Sequence, residues 1–438
     1  MSWLGAAVVI LIIALSFQLG MLAYAMYALV GIILVSRFMT QRWSESLSAE
    51  RELSKVEAES GEVVGVIAKV TNHGGLPIAW ALLEDLLPLN ALVHNPPNLK
   101  ISGRRVMLSS VRSGKTKSIL YNMKCNRRGY YQIGPLIVET GDLFGLHRRY
   151  RVLTKPTFLT VFPKVFPLDG YDISSRRPLG EVRMTHRLYE DPTRNAGVRE
   201  YEPGDPLNRV HWGATARTGK LHSKIYEPST VAGATILLDF HESSYPKKNE
   251  PVRSEIAISA VASLCHYLYD MGQQVGMITN GRDAADRVRE EGWDYDLRSR
   301  SAARSSASML TESDRLRPQI FAPDRGPEQL RRLQTALARV ELTNGIEFDQ
   351  LILETACRMP KDASVIAVLQ TVEERYAVSL GNLRRQGYAV TAIVNTYDAY
   401  DFAQLSKFLL AEGIATHHLR DETAIAEIAK AQFFGVRA

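Results

Sequence analysis

The chain has 438 residues, 45% hydrophobic and 23% charged, enough apolar material for about three domains of ordinary size. That composition excludes a wholly disordered chain, and 30 Gly with 19 Pro excludes a collagen-like or linker-dominated one. A net charge of +6 is weak support for nucleic-acid binding and suits an anionic lipid surface equally well.

No charged side chain occurs before Arg37, and residues 3–35 are almost continuously apolar. A retained membrane anchor is expected rather than a signal peptide, because the run is too long and no basic residue precedes it. A single helix of that length would reach about 50 Å, against a hydrocarbon core of about 30 Å. A hairpin turning at 16–20 resolves the mismatch, giving spans at 3–16 and 21–36 within a transmembrane segment 1–38; a single tilted span is the alternative. Arg37, Arg42, Arg51 and Lys55 follow the run, so the positive-inside rule places the rest of the chain in the cytoplasm, at a cell inner membrane or plasma membrane. Cys125, Cys265 and Cys357 stand far apart with no C-x-x-C, as expected in a reducing compartment and not for a disulfide framework or cysteine-built zinc site.

Residues 39–170 read as a β-rich, sandwich-like domain. β-Branched or alternating runs at 63–70, 105–110, 118–125, 130–134, 136–139 and 158–162 are separated by turn residues. Ser113-Gly114-Lys115-Thr116 ends like a phosphate-binding loop but lacks the upstream glycine, and is read as a hairpin turn.

Residues 190–228 form a densely charged motif. Asp205 is a good helix N-cap and Pro206 fits the first helical position, so a short helix is predicted to run to about Arg217, with Gly219 closing it. An alternating strand follows at 221–226. Arg199, Asp205, Arg209, His211, Trp212, Arg217 and Lys224 are the candidate partner-binding residues. The near balance of Arg and Lys against Glu200, Glu202, Asp205 and Glu227 is equally an internal ion-pair network. No nucleophile stands at a recognised spacing from His211, so a buried structural histidine is expected.

From 229 to 438 strands alternate with helices: strands at 234–240, 274–279, 365–369, 388–395 and 414–418, and helices at 252–271, 373–386, 400–411 and 421–432. That pattern predicts an α/β doubly wound sheet. Ligands of such sheets sit at the carboxyl ends of strands, which makes Asp239 the natural candidate. A flexible insertion is expected at about 280–327, where 287–317 is rich in Arg and Ser and poor in apolar residues.

The motifs at 199–206, 209–212, 216–221 and 224–227, with Arg128-Gly129-Tyr130-Tyr131 and 141–146 upstream, resemble the domain of unknown function 58 family. The resemblance implies a von Willebrand factor A-like fold for the α/β domain, and a bacterial membrane-anchored protein working with a MoxR-type AAA+ ATPase. It carries over no catalytic residue. Type A domains often hold a divalent metal through Asp-x-Ser-x-Ser; here 239–243 reads Asp-Phe-His-Glu-Ser, a degenerate magnesium site at Asp239 and Ser243 or no cofactor site at all.

The expected function is therefore non-enzymatic: an adaptor or scaffold, held in lipid, that binds a protein partner. A hydrolase using His211 or His241 with Asp239 is one alternative. Nucleic-acid binding through the Arg-rich insertion is another, and no nucleic acid is expected because aromatics for base stacking are few.

Overall fold

The computed structural model describes residues 2–93, 96–168, 189–201, 210–229, 233–286, 318–360 and 363–428. Its first helices are α1 (Ser2–Ser16) and α2 (Gly20–Ser46), separated by a break at 17–19. Among the described residues α2 is the one helix long and apolar enough to cross a membrane; α1 is shorter. Helix α2 runs ten residues past the predicted end at 36. The reason is a change of partner: Met39, Trp43 and Leu47, spaced i, i+4, i+8, pack into the core of the β-rich domain, and the small Ser36, Thr40 and Ser44 form a second buried stripe beside them.

That domain holds strands β1 (Leu47–Leu53), β2 (Glu57–Glu59), β3 (Val63–Asn72) and β4 (Ile78–Asp85), a short helix α3 (Leu89–Val93), then β5 (Leu99–Gly103), β6 (Val106–Val111), β7 (Thr116–Cys125), β8 (Gly129–Ile133), β9 (Leu136–Gly141), β10 (Arg148–Val152) and β11 (Thr157–Phe162). Two antiparallel sheets, ordered β1-β3-β7-β5 and β10-β9-β4-β6, enclose one core, and a third, β2-β11-β8, flanks them. Strict alternation puts Val64, Val66, Ala68 and Val70 of β3 opposite Ile119, Tyr121 and Met123 of β7 on the inner face. Between the sheets, Arg51 donates to Asp85 at 2.9 Å and the Tyr121 hydroxyl donates to its other oxygen at 2.8 Å. The turn at 112–115 is not a hairpin turn: β6 pairs with β4 and β7 with β3 and β5, so the chain passes there from one sheet to the other. β1, β2, β4, β5 and β10 were not predicted from the sequence; β1 and β10 are rich in charge, and β4 has no exposed residue and does not alternate.

Next come β12 (Tyr189–Glu200), α4 (Trp212–Thr218) and β13 (His222–Ser229). The α/β domain follows: β14 (Gly233–Leu238), α5 (Val252–Asp270), β15 (Gln274–Thr279), β16 (Arg282–Asp283), β17 (Gln319–Asp324), α6 (Pro327–Arg339), β18 (Val340–Glu341), α7 (Phe348–Thr355), β19 (Ser364–Leu369), α8 (Glu374–Arg385), β20 (Val390–Val394), α9 (Ala399–Ala411), β21 (Ala415–His418) and α10 (Glu422–Ile428). Six strands form one sheet, ordered β17-β15-β14-β19-β20-β21, parallel except for β17. Ile236 and Leu238 face a core made with α5, α6 and α10, whereas Leu237 faces one made with α7, α8 and α9, so helices cover both faces. The expected insertion is narrower than 280–327: β17 is an edge strand of the main sheet, and α6 begins directly after it. Residues 287–317 lie outside the described residues.

Candidate functional site

The charged motif pairs two antiparallel strands, β12 and β13, and carries the helix α4 in the connection between them. β12 and β13 pair antiparallel, setting Val198 opposite Lys224 and Arg199 opposite Ser223, so the Arg199 and Lys224 positions are neighbours across the ladder. Val210 bridges to Ser223, and the His211 N–H donates to the His222 carbonyl at 2.8 Å. That extended stretch corrects the predicted helix from Pro206: the helix starts at Trp212. Its cap is His211, whose Nδ1 accepts the Ala214 N–H at 2.9 Å, so this nitrogen is unprotonated and the ring serves the backbone. Gly219 closes the helix at φ 73°, as its sequence position predicts. Trp212 is 69% exposed, and Arg217 is exposed one and a half turns on. Lys220 pairs with Glu200 at 3.3 Å between the two strands, both side chains being exposed. Asp205 and Arg209 lie outside the described residues.

Asp239 stands apart from this motif, at the carboxyl end of β14. Residues following four adjacent parallel strands, Asn280, Asp239, Gln370 and Asn395, form a buried polar row along that edge. Asp239 Oδ1 accepts the Asn280 amide at 3.0 Å and the His241 N–H at 3.2 Å, while Asn280 Oδ1 accepts the Phe240 N–H at 2.7 Å. Burial pushes the Asp239 carboxyl up from its ordinary range, against the opposing effects of Ser244, Asn280 and His241. Its Oδ2 makes no well-formed hydrogen bond, although the buried Ser244 lies close enough to favour the charged form. Ser243 is exposed and turned elsewhere: its hydroxyl meets His241 Nδ1 at 2.7 Å. The pair proposed from sequence for magnesium therefore does not converge. One buried carboxylate and a serine turned away to an imidazole supply too few converging oxygens for a hard octahedral cation, and no group of three His, Cys, Asp or Glu side chains able to hold a metal occurs among the described residues.

Beside Phe240 a cleft of about 340 Å³ separates the α/β domain from the β-rich one, lined by Arg128, Arg282 and Arg339 against Glu242, Glu255 and Glu341. Arg128 organises it. One of its terminal nitrogens, Nη1, donates to the carbonyls of Leu337, Ala338 and Val340 at 3.0, 3.4 and 2.8 Å, closing the carboxyl end of α6. Nε lies 3.4 Å from Glu255, and the guanidinium sits 5.7 Å from the centre of the Phe240 ring. Gly129 is required because a side chain there would meet the Tyr131 ring at 2.8 Å; the Tyr131 hydroxyl donates to the carbonyls of Arg127 and Arg128. Tyr130 stacks on Phe158 and carries Arg339 on its ring. Arg128-Gly129-Tyr130-Tyr131 is thus a domain-joining device. The sequence showed the motif but no sign of its partner, since α6 was not anticipated.

Known proteins add a partial family match and little more. Residues 197–292 match the model of a family described as protein of unknown function DUF58. The chain is 23% identical over 269 residues to the uncharacterized protein YeaD of Bacillus subtilis (strain 168), a match covering 61% of this chain and 64% of that protein, less than two thirds of its length. Among solved structures, the CARDB domain of the PF1109 protein from Pyrococcus furiosus aligns at 13% identity and a TM-score of 0.18, over 26% of this chain and 91% of its own. Proximal thread matrix protein 1 from the mussel byssus aligns at 11% identity and 0.28, over 45% of this chain and 46% of its own. Likeness at such scores carries no argument. The match that bears on the site is the family model, whose residues take in most of the charged hairpin and, at the strand edge, Asp239 and Asn280.

Proposed function

We propose that the chain is a membrane-anchored adaptor whose folded domains face the cytoplasm and bind a protein partner, a MoxR-type AAA+ ATPase being the expected one. In this reading α1 and α2 cross the bilayer as a hairpin, and the α/β domain is von Willebrand factor A-like. The observation that carries partner binding is Trp212. A short helix capped by His211 and Gly219 holds a large aromatic out in solvent and exposes Arg217 as well, and Trp and Arg are the residues most often dominant in protein–protein contacts. Trp212→Ala and Arg217→Glu should each abolish co-purification of the ATPase from detergent-solubilised membranes while leaving membrane insertion intact. EDTA should make no difference, because the Asp239 edge does not fit a metal bridge. Unchanged co-purification in both variants would remove the hairpin as the contact.

The second reading, a hydrolase, draws on the 2.7 Å contact between His241 Nδ1 and the exposed Ser243 hydroxyl. The same Nδ1 also accepts the Ser243 N–H at 3.2 Å, the geometry of a local cap. Turnover of an ester by the purified chain, lost in Ser243→Ala, would support that reading over the adaptor.

A further inference from the structure

The hairpin β9–β10 lies against α2 and runs alongside it. Two contacts fix its direction. Arg151 Nη1 donates to the carbonyls of Ser44, Glu45 and Leu47 at 2.8, 3.1 and 3.1 Å, near the carboxyl end of the helix. At the other end of the hairpin, Asp142 lies beside the Ser36 hydroxyl. From Ser44 back to Ser36 the helix covers about 12 Å. From Arg151 to Arg148, which pairs with Gly141, and on to Asp142 the hairpin covers about 13 Å. The tip of the hairpin therefore points back along α2 toward its apolar part, and residues 143–146 reach past Ser36.

The residues at that tip are Leu143, Phe144, Gly145 and Leu146. The three side chains are 73%, 69% and 47% exposed, an apolar cluster that a protein surrounded by water would hide. The base of the tip is tied together by Asp142, whose Oδ2 accepts the Leu146 N–H at 3.2 Å and whose Oδ1 accepts the His147 N–H at 2.9 Å. Gly145 turns the chain at φ 73°. Each amide satisfied within the loop lowers the cost of taking that loop out of water. Trp80 donates its indole N–H to the Asp142 carbonyl at 3.3 Å, and Arg37, Arg42, Arg148 and Arg149 are exposed on the two elements behind the tip. Aromatic and cationic residues just behind an apolar point are the arrangement that suits the boundary between acyl chains and anionic headgroups.

We infer that residues 143–146 are a second membrane contact: the tip dips into the headgroup–acyl boundary of the leaflet from which α2 emerges, and the β-rich domain sits on the lipid surface in a fixed orientation. This rests on the reading that α2 crosses the bilayer. The occupant is lipid because the tip continues, in direction and in height, the apolar surface of the helix beside it.

The test uses the full chain carrying Cys357→Ser, reconstituted in vesicles of phosphatidylcholine and phosphatidylglycerol. Single cysteines replace Phe144, Tyr27 in α2, or the exposed Leu353 of α7, and carry an environment-sensitive fluorophore. Lipids with a nitroxide near the headgroup should quench the probe at 144 about twofold more than the probe at 353. Quenching at 27 with none at 144 beyond the level at 353 overturns the inference and leaves the anchor standing. Absence of quenching at 27 under nitroxides placed at any depth overturns the anchor and the inference with it. Leu143→Cys repeats the measurement at a second exposed position should the variant at 144 fail to fold.

Discussion

Two arginines of the β-rich domain perform the same act on opposite neighbours. Arg151 spreads one guanidinium nitrogen over three carbonyls at the end of α2, and Arg128 does so at the end of α6. Each supplies donors and a positive charge where a helix has orphan carbonyls and the negative end of its dipole. Their surroundings differ. Arg151 works beside an apolar joint, where Trp43 and Leu47 enter the core. Arg128 works at a charged cleft, with Glu255 at 3.4 Å and Glu242, Arg282 and Glu341 around it. The joint to the helix is held mainly by burial, and the joint between the folded domains by charge. Salt and pH should therefore act on the second and spare the first.

The largest effect is expected from Arg128→Met. It leaves three carbonyls without their donor and Glu255 without its cation. Loss of a partner from a buried pair costs about 3–5 kcal/mol, and the partial exposure of Glu255 brings the expected figure to about 2–3 kcal/mol. Burial already holds the Glu255 carboxyl above its ordinary range, opposed first by Arg128. Without that arginine the group rises further. Its penalty is then complete above the raised folded value and fades as pH falls toward the ordinary 4.5, where the carboxyl is neutral in both states. Urea midpoints at neutral and acid pH would measure this, and Glu255→Gln added to Arg128→Met should recover part of the loss. A defect independent of pH would mean that the ion pair contributes nothing.

Arg151→Met should cost about 1–2 kcal/mol, since it removes hydrogen bonds to carbonyls and strands no carboxylate. Denaturation across the same pH range should show a constant difference. A loss as large as that of Arg128→Met would show that the carbonyl cap, and not the buried ion pair, dominates both joints.

The contrast also marks what a sequence can disclose. Elements that bury a face by their own periodicity were legible: β3 and β7 alternate strictly, β14 is a continuous apolar run, and the stripe Ile256, Ala260, Leu264, Leu268 of α5 is wholly buried. Elements defined by a partner were not. The last ten residues of α2 read as polar because their buried side is half serine and threonine, chosen for close approach of β9 and β10. β17 was lost inside a polar stretch because an edge strand is only partly covered. At the candidate site, Asp239 could be placed at a strand end from sequence, and the residues that engage it could not. Asn280 arrives from the next strand, and Ser244 rather than Ser243 is the buried serine beside it. The role of His211 was half visible: its lack of a nucleophile suggested structure, but only the geometry shows a helix cap.

A smaller and opposite effect is expected at the carboxyl edge. Asp239→Asn keeps the oxygen that accepts from Asn280 and His241 and removes a charge that burial disfavours. The folded-state pKa lies above the ordinary 3.8, so the charged form weakens the fold above the raised value and ceases to do so below 3.8. The variant should be more stable than the parent at pH 7, with the gain vanishing in acid. A thermal midpoint that falls at neutral pH would show that the carboxylate is needed as an anion, and would return Asp239 to candidacy as a ligand.

The smallest effect sharpens the comparison by holding geography constant. Arg331 of α6 reaches Glu57 of β2 at 3.2 Å, across the same junction that Arg128 spans, but both side chains are about half exposed. Water screens the pair on every side, and such pairs contribute about 0–1 kcal/mol. Arg331→Ala should therefore change the urea midpoint at most marginally and leave its pH dependence untouched, in contrast to Arg128→Met a few residues of contact away. If the two substitutions destabilise equally, crossing the junction is what matters; if they differ as expected, the exclusion of water around Arg128 and its ion pair is what joins the two domains.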